Sequence, residues 1–270
     1  MKLLNKEELK RAEESLRHCF PQAQQAYGYV FLMNRVQADP IDVLVDQWPN
    51  FNVLLTRPRQ QKKSDLFRDL CIFSKDDSSL WSLLIETNVF DWKQYFCLSV
   101  DLNHKEMIKS VALSRGVQNL KNHMCYMMTL EDPSKLLSES LPVRVSSLNE
   151  THVGLVNNTW KFGMDEFSEE FIRDMIVNFP SCCVLDSEGQ PVSWILTYAS
   201  CAMGMLYTVA EHRRKGYAKA LVSVLAKKLH SEGYPVYCFV EEENQASYRL
   251  FTSLGFTAAP SYRATWIECD

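Results

Sequence analysis

The chain has no excess of positive charge: 29 Lys and Arg stand against 33 Asp and Glu, a net of -4. Such a balance offers no electrostatic footprint for a nucleic-acid backbone, so nucleic acid is not an expected partner. No CxxC pair occurs, and the nine cysteines are scattered, mostly in apolar strings such as "SCCVL". Reduced, buried thiols in an intracellular protein fit that pattern better than a zinc site or a disulfide framework. Internal repeats and low-complexity tracts are also missing. Between Glu188 and Glu211 there is no charge at all, over a length that would span a bilayer. Yet the stretch holds Ser193, Thr197, Tyr198, Ser200 and Thr208 and opens on the turn "DSEGQP". Two buried strands are therefore expected, and no membrane span. The opening "MKLLNKEELKRAEESLRHCF" is amphipathic but carries Glu7, Glu8, Glu13 and Glu14. Transit peptides are poor in acids, so a surface helix is expected there rather than a cleaved targeting segment.

With 270 residues, 46% of them apolar and 23% charged, the chain is long enough for one large or two smaller globular domains. The first half reads as an α/β alternation. Leu3 to His18 is an expected helix; "YGYVFLMN" and "NVLLT" are expected strands on either side of a Trp48-Pro49 break. "LCIFS" is a strand, "SSLWSLLIET" a helix opened by a Ser cap, "YFCLSVDL" a strand, His104 to Ser114 a helix and "HMCYMMTL" a strand. Glu131 to Pro142 breaks the pattern and is the candidate linker, dividing the chain into domains at 1–140 and 141–270. The second half restarts with the order β-α-α-β-β-β-α-β-α-β. Its second helix, "SEEFIRDMIVNF", is again expected to open on a Ser cap. "CCVLD" and "PVSWILTYA" form a hairpin, "AMGMLYTV" follows as a strand, and Lys219 to His230 repeats apolar residues at helical spacing. "PVYCFV", a helix from Asn244 to Leu254, and "YRATWIE" complete it.

Between "AMGMLYTV" and the helix lies "EHRRKGYAKAL". Strand, loop and helix together bring unpaired backbone N–H groups to the positive end of a helix dipole. That arrangement binds phosphate, and Gly216 lets the backbone approach closely. Arg213, Arg214 and Lys215 add charge at the same place. The loop is neither a GxxxxGK[ST] nor a GxGxxG pattern. On the loop alone, a solvated basic turn explains the residues equally well.

The spacing R-x-x-G-x-A at Arg213, Gly216 and Ala218 resembles the pyrophosphate signature of the GNAT acyltransferase superfamily. "NQASYRLFTSLGF" resembles its second signature, N-x-x-A-x-x-x-Y-x-x-x-G-F; Asn244, Gly255 and Phe256 match, while Ser247 and Phe251 replace Ala and Tyr. "YGYVFLMNR", "VLVDQWPNF", "GLVNNTWKFG", "NFPSCCVLDSEGQPVSW" and "VAEHRRKGY" look like successive blocks of the glycine N-acyltransferase and glycine N-acyltransferase-like family, from Tyr27 to Phe256. The resemblance implies an α/β (α+β) fold of two GNAT-like domains, each a mixed twisted sheet flanked by helices. The N-terminal domain would be degenerate and the C-terminal one catalytic. It also implies amino-acid conjugation, with acyl-CoA as co-substrate, no permanently bound cofactor, no metal, and glycine or another amino acid as acceptor. Val209, Arg213, Arg214, Lys215, Gly216, Tyr217, Ala218 and Asn244 would hold the CoA moiety. A monomer in the mitochondrion, with cytosol or endoplasmic reticulum as alternatives, completes the expectation.

The chemistry is amine attack on a thioester through a tetrahedral oxyanion. It requires a deprotonated amine, an oxyanion donor such as a backbone N–H near Val209, and a thiolate able to leave. Here the sequence departs from the family: the Glu that resembles its general base aligns with Ala202. Glu241, at the end of "PVYCFVEEE", is the nearest substitute; as part of a run to Glu243 it also reads as a solvated acidic start to the next helix. Phe251 cannot donate a proton to the thiolate; Tyr248, one turn earlier, is the remaining candidate, or simply a packing residue. His212 and His152 sit in no pattern of this chemistry, and no Ser-His-Asp or Cys-His context argues for an acyl-enzyme. Two other readings stay open. One is a GNAT that acetylates a protein amine, with Glu241 to Glu243 and Asp165-Glu166 lining an acidic groove. The other is a CoA-binding protein without catalysis.

Overall fold

Nine consecutive residues, Gln24 through Leu32, are buried in the first element where structure and expectation part company. The computed structural model describes residues 1–35, 41–58, 70–86, 89–136, 144–163 and 166–270. In it "YGYVFLMN" belongs to a helix rather than a strand. A helix covered on every side loses its polar face, and with it the periodicity that separates helix from strand.

The chain forms two compact units, Met1–Tyr126 with Ala259–Asp270, and Met127–Ala258. The first contains β1 (Lys2–Leu3), α1 (Lys6–Arg17), α2 (Gln24–Arg35), β2 (Ile41–Val45), β3 (Val53–Pro58), β4 (Leu70–Ser74), α3 (Asp77–Glu86), β5 (Phe96–Asp101), α4 (Lys105–Ser114) and the start of β6 (Leu120–Thr129). Strands β1 to β4 pair antiparallel in sequence order. β5 then pairs parallel to β4 after the α3 crossover. One face of this sheet, with Leu55, Ile72, Leu98 and Val100, packs on Leu80 and Leu84 of α3 and Ile108 and Val111 of α4. The expected Ser cap of α3 is instead Asp76, whose carboxylate accepts from the N–H groups of Ser78 at 3.3 Å and Ser79 at 2.8 Å. A carboxylate offers two acceptors and a full charge to the helix N-terminus, and outcompetes a hydroxyl.

The second unit contains the end of β6, then β7 (Arg144–Ser146), α5 (Val153–Asn157), α6 (Glu166–Asn178), β8 (Cys182–Leu185), β9 (Pro191–Thr197), β10 (Met203–Thr208), α7 (Tyr217–Ser231), β11 (Tyr237–Glu241) and α8 (Gln245–Ser253). β7 to β10 are an antiparallel meander, and β11 pairs parallel to β10 after the α7 crossover. β9 is buried along its whole length and β10 lies beside it, so the uncharged stretch is indeed a strand pair. Among the described residues no helix is long and apolar enough to cross a membrane. Ser168 is not the cap of α6. It lies inside the first turn, buried, and its Oγ donates to Asn157 Oδ1 at 2.7 Å. Both thiols of the Cys182-Cys183 pair are buried.

The expected division at residues 140 and 141 differs from these units. β12 (Thr257–Cys269) extends beyond the expected "YRATWIE" and returns Ala259–Asp270 to the first unit, pairing antiparallel with β5 from Ala264 opposite Asp101 to Cys269 opposite Phe96. A strand's membership follows its hydrogen-bonding partner, which composition along the chain does not disclose. Residues 137–142 of the candidate linker, and Asp165 of the candidate acidic groove, lie outside the described residues.

Candidate active site

The site is built where β10 and β11 separate. Among the described residues their parallel register is confined to Met203 opposite Cys238. Beyond that pair β10 is bulged: its register against β9 shifts between Gly204 and Tyr207, and Met205 takes φ 49°. A bulge increases local twist and turns backbone groups out of the ladder. The strands therefore part, with Gly204 to Thr208 of β10 and Phe239 to Glu241 of β11 outside their parallel pairing. The isolated Gly204 inside a strand pattern was the available sequence signal for this bulge.

At the open end of β10 the chain makes a 3-10 turn, Ala210–His212, and enters α7. Gly216 is the N-cap of α7 with φ 82°, in the left-handed region that suits glycine. No side chain caps this end, so the first-turn N–H groups of Tyr217, Ala218 and Lys219 face outward without the acceptor a cap would supply. Arg214 is also left-handed, at φ 62°. Arg213, Arg214, Lys215 and Gly216 are exposed, and Tyr217 and Ala218 are half-buried. Arg213 Nε donates to Thr208 O at 3.0 Å and its guanidinium lies 5.7 Å from the Tyr207 ring, which ties the loop to the end of β10. Six of the eight residues expected to hold CoA, Arg213 through Ala218, thus stand at one helix N-terminus.

Val209 itself is a correction. Its N–H donates to Val192 O at 3.0 Å and is not available to an oxyanion. The final β9–β10 hydrogen bond takes it, whereas Met205 and Leu206, inside the register shift, stand outside the ladder positions. Asn244 caps α8, its Oδ1 accepting from Ser247 N–H at 3.1 Å; that oxygen serves the helix.

Ala202 immediately precedes β10 and is 2% exposed, its carbonyl accepting from Tyr198 N–H at 2.9 Å. No carboxylate occupies that position. Glu241 ends β11, and its run is not simply solvated: both carboxylate oxygens lie 2.6 Å from Lys161 Nζ. Lys161, in the turn after α5, was not foreseen. The two residues are 80 apart in sequence and no local pattern joins them. Tyr248 is half-buried on α8. Phe251 is buried edge-on against Phe256, ring centroids 5.2 Å apart.

The histidines are structural. His152 Nδ1 accepts from Asn149 N–H at 3.0 Å in a capping box, and burial pushes its pKa down. His212 lies against Tyr217, and its buried Nδ1 has no hydrogen-bond partner. Burial pushes the thiols of Cys182 and Cys183 each up to about 11, which leaves them protonated and inert at neutral pH.

A splayed parallel strand pair leading into an uncapped, glycine-led helix fits the GNAT fold. Solved structures agree. A Drosophila protein superposes with a TM-score of 0.86 at 18% identity, covering 100% of this chain and 98% of that one. A GCN5-related N-acetyltransferase-like protein from Streptococcus suis superposes at 0.56 with 16% identity, covering 98% and 99%. The chain belongs to the aralkyl acyl-CoA:amino acid N-acyltransferase family, whose N-terminal part matches residues 1–180 and whose C-terminal region matches residues 182–269. It is an acyl-CoA:amino acid N-acyltransferase. Glycine N-acyltransferase of Bos taurus is 32% identical over 97% of this chain and 96% of its own length. Glycine N-acyltransferase of Homo sapiens is 30% identical over 96% and 95%, and glycine N-phenylacetyltransferase of Bos taurus 29% over 97% and 96%.

Proposed function

We propose that the chain transfers an acyl group from acyl-CoA to the amino group of glycine by direct attack on the thioester. The observation that carries this reading is the early parting of β10 from β11, with β10 leading into the uncapped, Gly216-led N-terminus of α7. The N–H groups of Gly216, Tyr217 and Ala218 receive the pyrophosphate, and Arg213, Arg214 and Lys215 add charge around it. Val209 at the end of β10 and Asn244 at the start of α8 are the remaining CoA contacts of this reading, and the thioester arm runs down the bulged edge of β10. There the N–H groups of Met205 and Leu206 are the donors nearest to a developing oxyanion. Glu241 takes the amine proton and Tyr248 supplies one to the departing thiolate. Glycine as acceptor rests on relatives that carry glycine in their names.

The first unit reads as a degenerate copy of the second. Each has an antiparallel meander, a helical crossover, a parallel strand and a further helix. A tandem GNAT protein from the clavulanic acid pathway superposes on the whole chain with a TM-score of 0.57, at 12% identity over 99% of it. In the first unit the crossover helix, the counterpart of α7, is α3, and Asp76 already occupies its N-terminal N–H groups. A carboxylate there repels phosphate, so CoA binds the second unit alone. The likeness to glycine N-acyltransferases supports a mitochondrial location, which co-fractionation with matrix markers tests.

The deciding experiment is thiol release from a panel of acyl-CoAs with glycine and other amino acids, across pH. Turnover with an amino acid supports the reading. Tight CoA binding without turnover for any acceptor would replace it with a CoA-binding protein, the outcome that Ala202 and Phe251 favour.

A further inference from the structure

Lys161 is placed by a fixed turn. Its neighbour Trp160 stacks on Phe171 of α6 with centroids 5.8 Å apart, and Phe171 meets Tyr198 at 6.3 Å. Two residues on, Gly163 lies against Asn157 so closely that a Cβ would stand 2.7 Å from its Oδ1 and 3.0 Å from its carbonyl carbon. Asn157 is buried and bonded to Ser168. The turn is therefore pinned on both sides, and Lys161 Nζ is held 4.7 Å from the Phe162 ring centroid and 2.6 Å from each Glu241 oxygen.

The pair stands past the last β10–β11 pairing, since Glu241 lies beyond Cys238, where β11 has parted from β10. It is also wet: the Lys161 and Glu241 side chains are 50% and 34% exposed. An ion pair of that exposure contributes little to stability and exchanges readily. A pinned cation and anion, beside the parted strands of an acyltransferase and with little structural worth, match one class of small molecule. An amino acid zwitterion carries both opposite charges within a few bonds.

We propose that Lys161 and Glu241 together recognise the acceptor, Lys161 taking its α-carboxylate and Glu241 its α-ammonium. The inference rests on the transferase reading above and specifies how the acceptor enters. Each charge of the pair exchanges one partner for another, so none is left unmatched. The exchange also frees the Glu241 carboxylate from Lys161 at the moment an ammonium arrives. Glu241 accepts one ammonium proton, and the neutral nitrogen attacks the thioester carbon. As the C–N bond forms and the C–S bond breaks, a second proton reaches the CoA sulfur. The third stays on the amide, and Glu241 returns its proton to water. Amines without a carboxylate, including lysine side chains of proteins, lack the partner for Lys161 and are selected against.

The test is steady-state thiol release by the full chain with phenylacetyl-CoA, comparing glycine with glycinamide, which keeps the amine and loses the carboxylate. Lys161→Met is expected to raise the KM for glycine roughly ten- to a hundredfold, the worth of a charge-assisted hydrogen bond. It should leave the KM for phenylacetyl-CoA nearly unchanged and should not lower the rate with glycinamide, and Lys161→Arg should recover most of the glycine affinity. An unchanged glycine KM in Lys161→Met would overturn the inference, as would equal losses for glycine and glycinamide, which mark a purely structural role. If the wild-type chain uses no amino acid at all, the transferase reading falls and the inference falls with it.

Discussion

The edge of the Tyr198 ring lies on the Cα of Gly204, so closely that an added Cβ would run into it and stand 3.0 Å from Cδ2. Tyr198 thus covers the start of the bulged segment of β10 and ends the aromatic chain that begins at Trp160. Gly204→Ala should push the ring aside and cost about 1–3 kcal/mol, the usual penalty of overpacking. Chemical denaturation measures the loss. Because the ring's displacement also reaches the turn that holds Lys161, glycine KM should rise as well. A Gly204→Ala variant as stable as wild type would show that Tyr198 is free to move.

Gly216 sets both the conformation and the electrostatics of the phosphate loop. Gly216→Ala pays only the left-handed backbone penalty, about 1–2 kcal/mol, and should weaken CoA modestly. Gly216→Glu adds a negative side chain where phosphate is expected and should abolish measurable CoA binding by calorimetry. Equal affinity in the Glu variant and wild type would remove the loop from the binding site.

Glu241→Gln keeps the shape of the end of β11 and removes its proton acceptor. Turnover at neutral pH should fall about 10²–10⁴-fold, the range for loss of a general base. The variant's rate should climb with pH more steeply than the wild type's, as more amine loses its proton. Superimposable profiles would mean that Glu241 handles no proton.

Cys182 and Cys183 hold their protons to about 11, against an ordinary 9.0, because burial disfavours the thiolate. The folded state therefore binds these protons more tightly than the unfolded chain does. The resulting stability is complete below about 9.0 and is lost as pH rises through 11. Denaturation midpoints should fall across that window, and less steeply in a Cys182→Ala, Cys183→Ala double variant. At pH 7 a thiol reagent should modify neither residue until the protein unfolds.

Several features of the site were legible because they are local. Arg213, Gly216 and Ala218 stand within one turn of each other, and Asn244 sits one residue before the helix it caps. Strand alternation and cap chemistry act over a few residues, and so do the expectations built on them. The Ser caps failed at that same scale, because a neighbouring Asp76 competes better for the N–H groups of α3 and because α6 begins before Ser168. No expected strand covers β2, because the buried helix α2 before it carries a strand-like apolar pattern.

The sequence by itself determined the class of the chain: a uniformly apolar pair of strands, a basic glycine loop at a helix start, and a second signature downstream. These depend on bonds between near neighbours, which composition and spacing carry directly. Tertiary structure alone decided that α2 is a helix, that the last strand belongs to the first unit, that Val209 spends its N–H on Val192, and that Glu241 meets Lys161. Each of those outcomes is a choice among distant partners, settled by burial and by competition for donors and acceptors. No stretch of sequence contains both sides of such a choice.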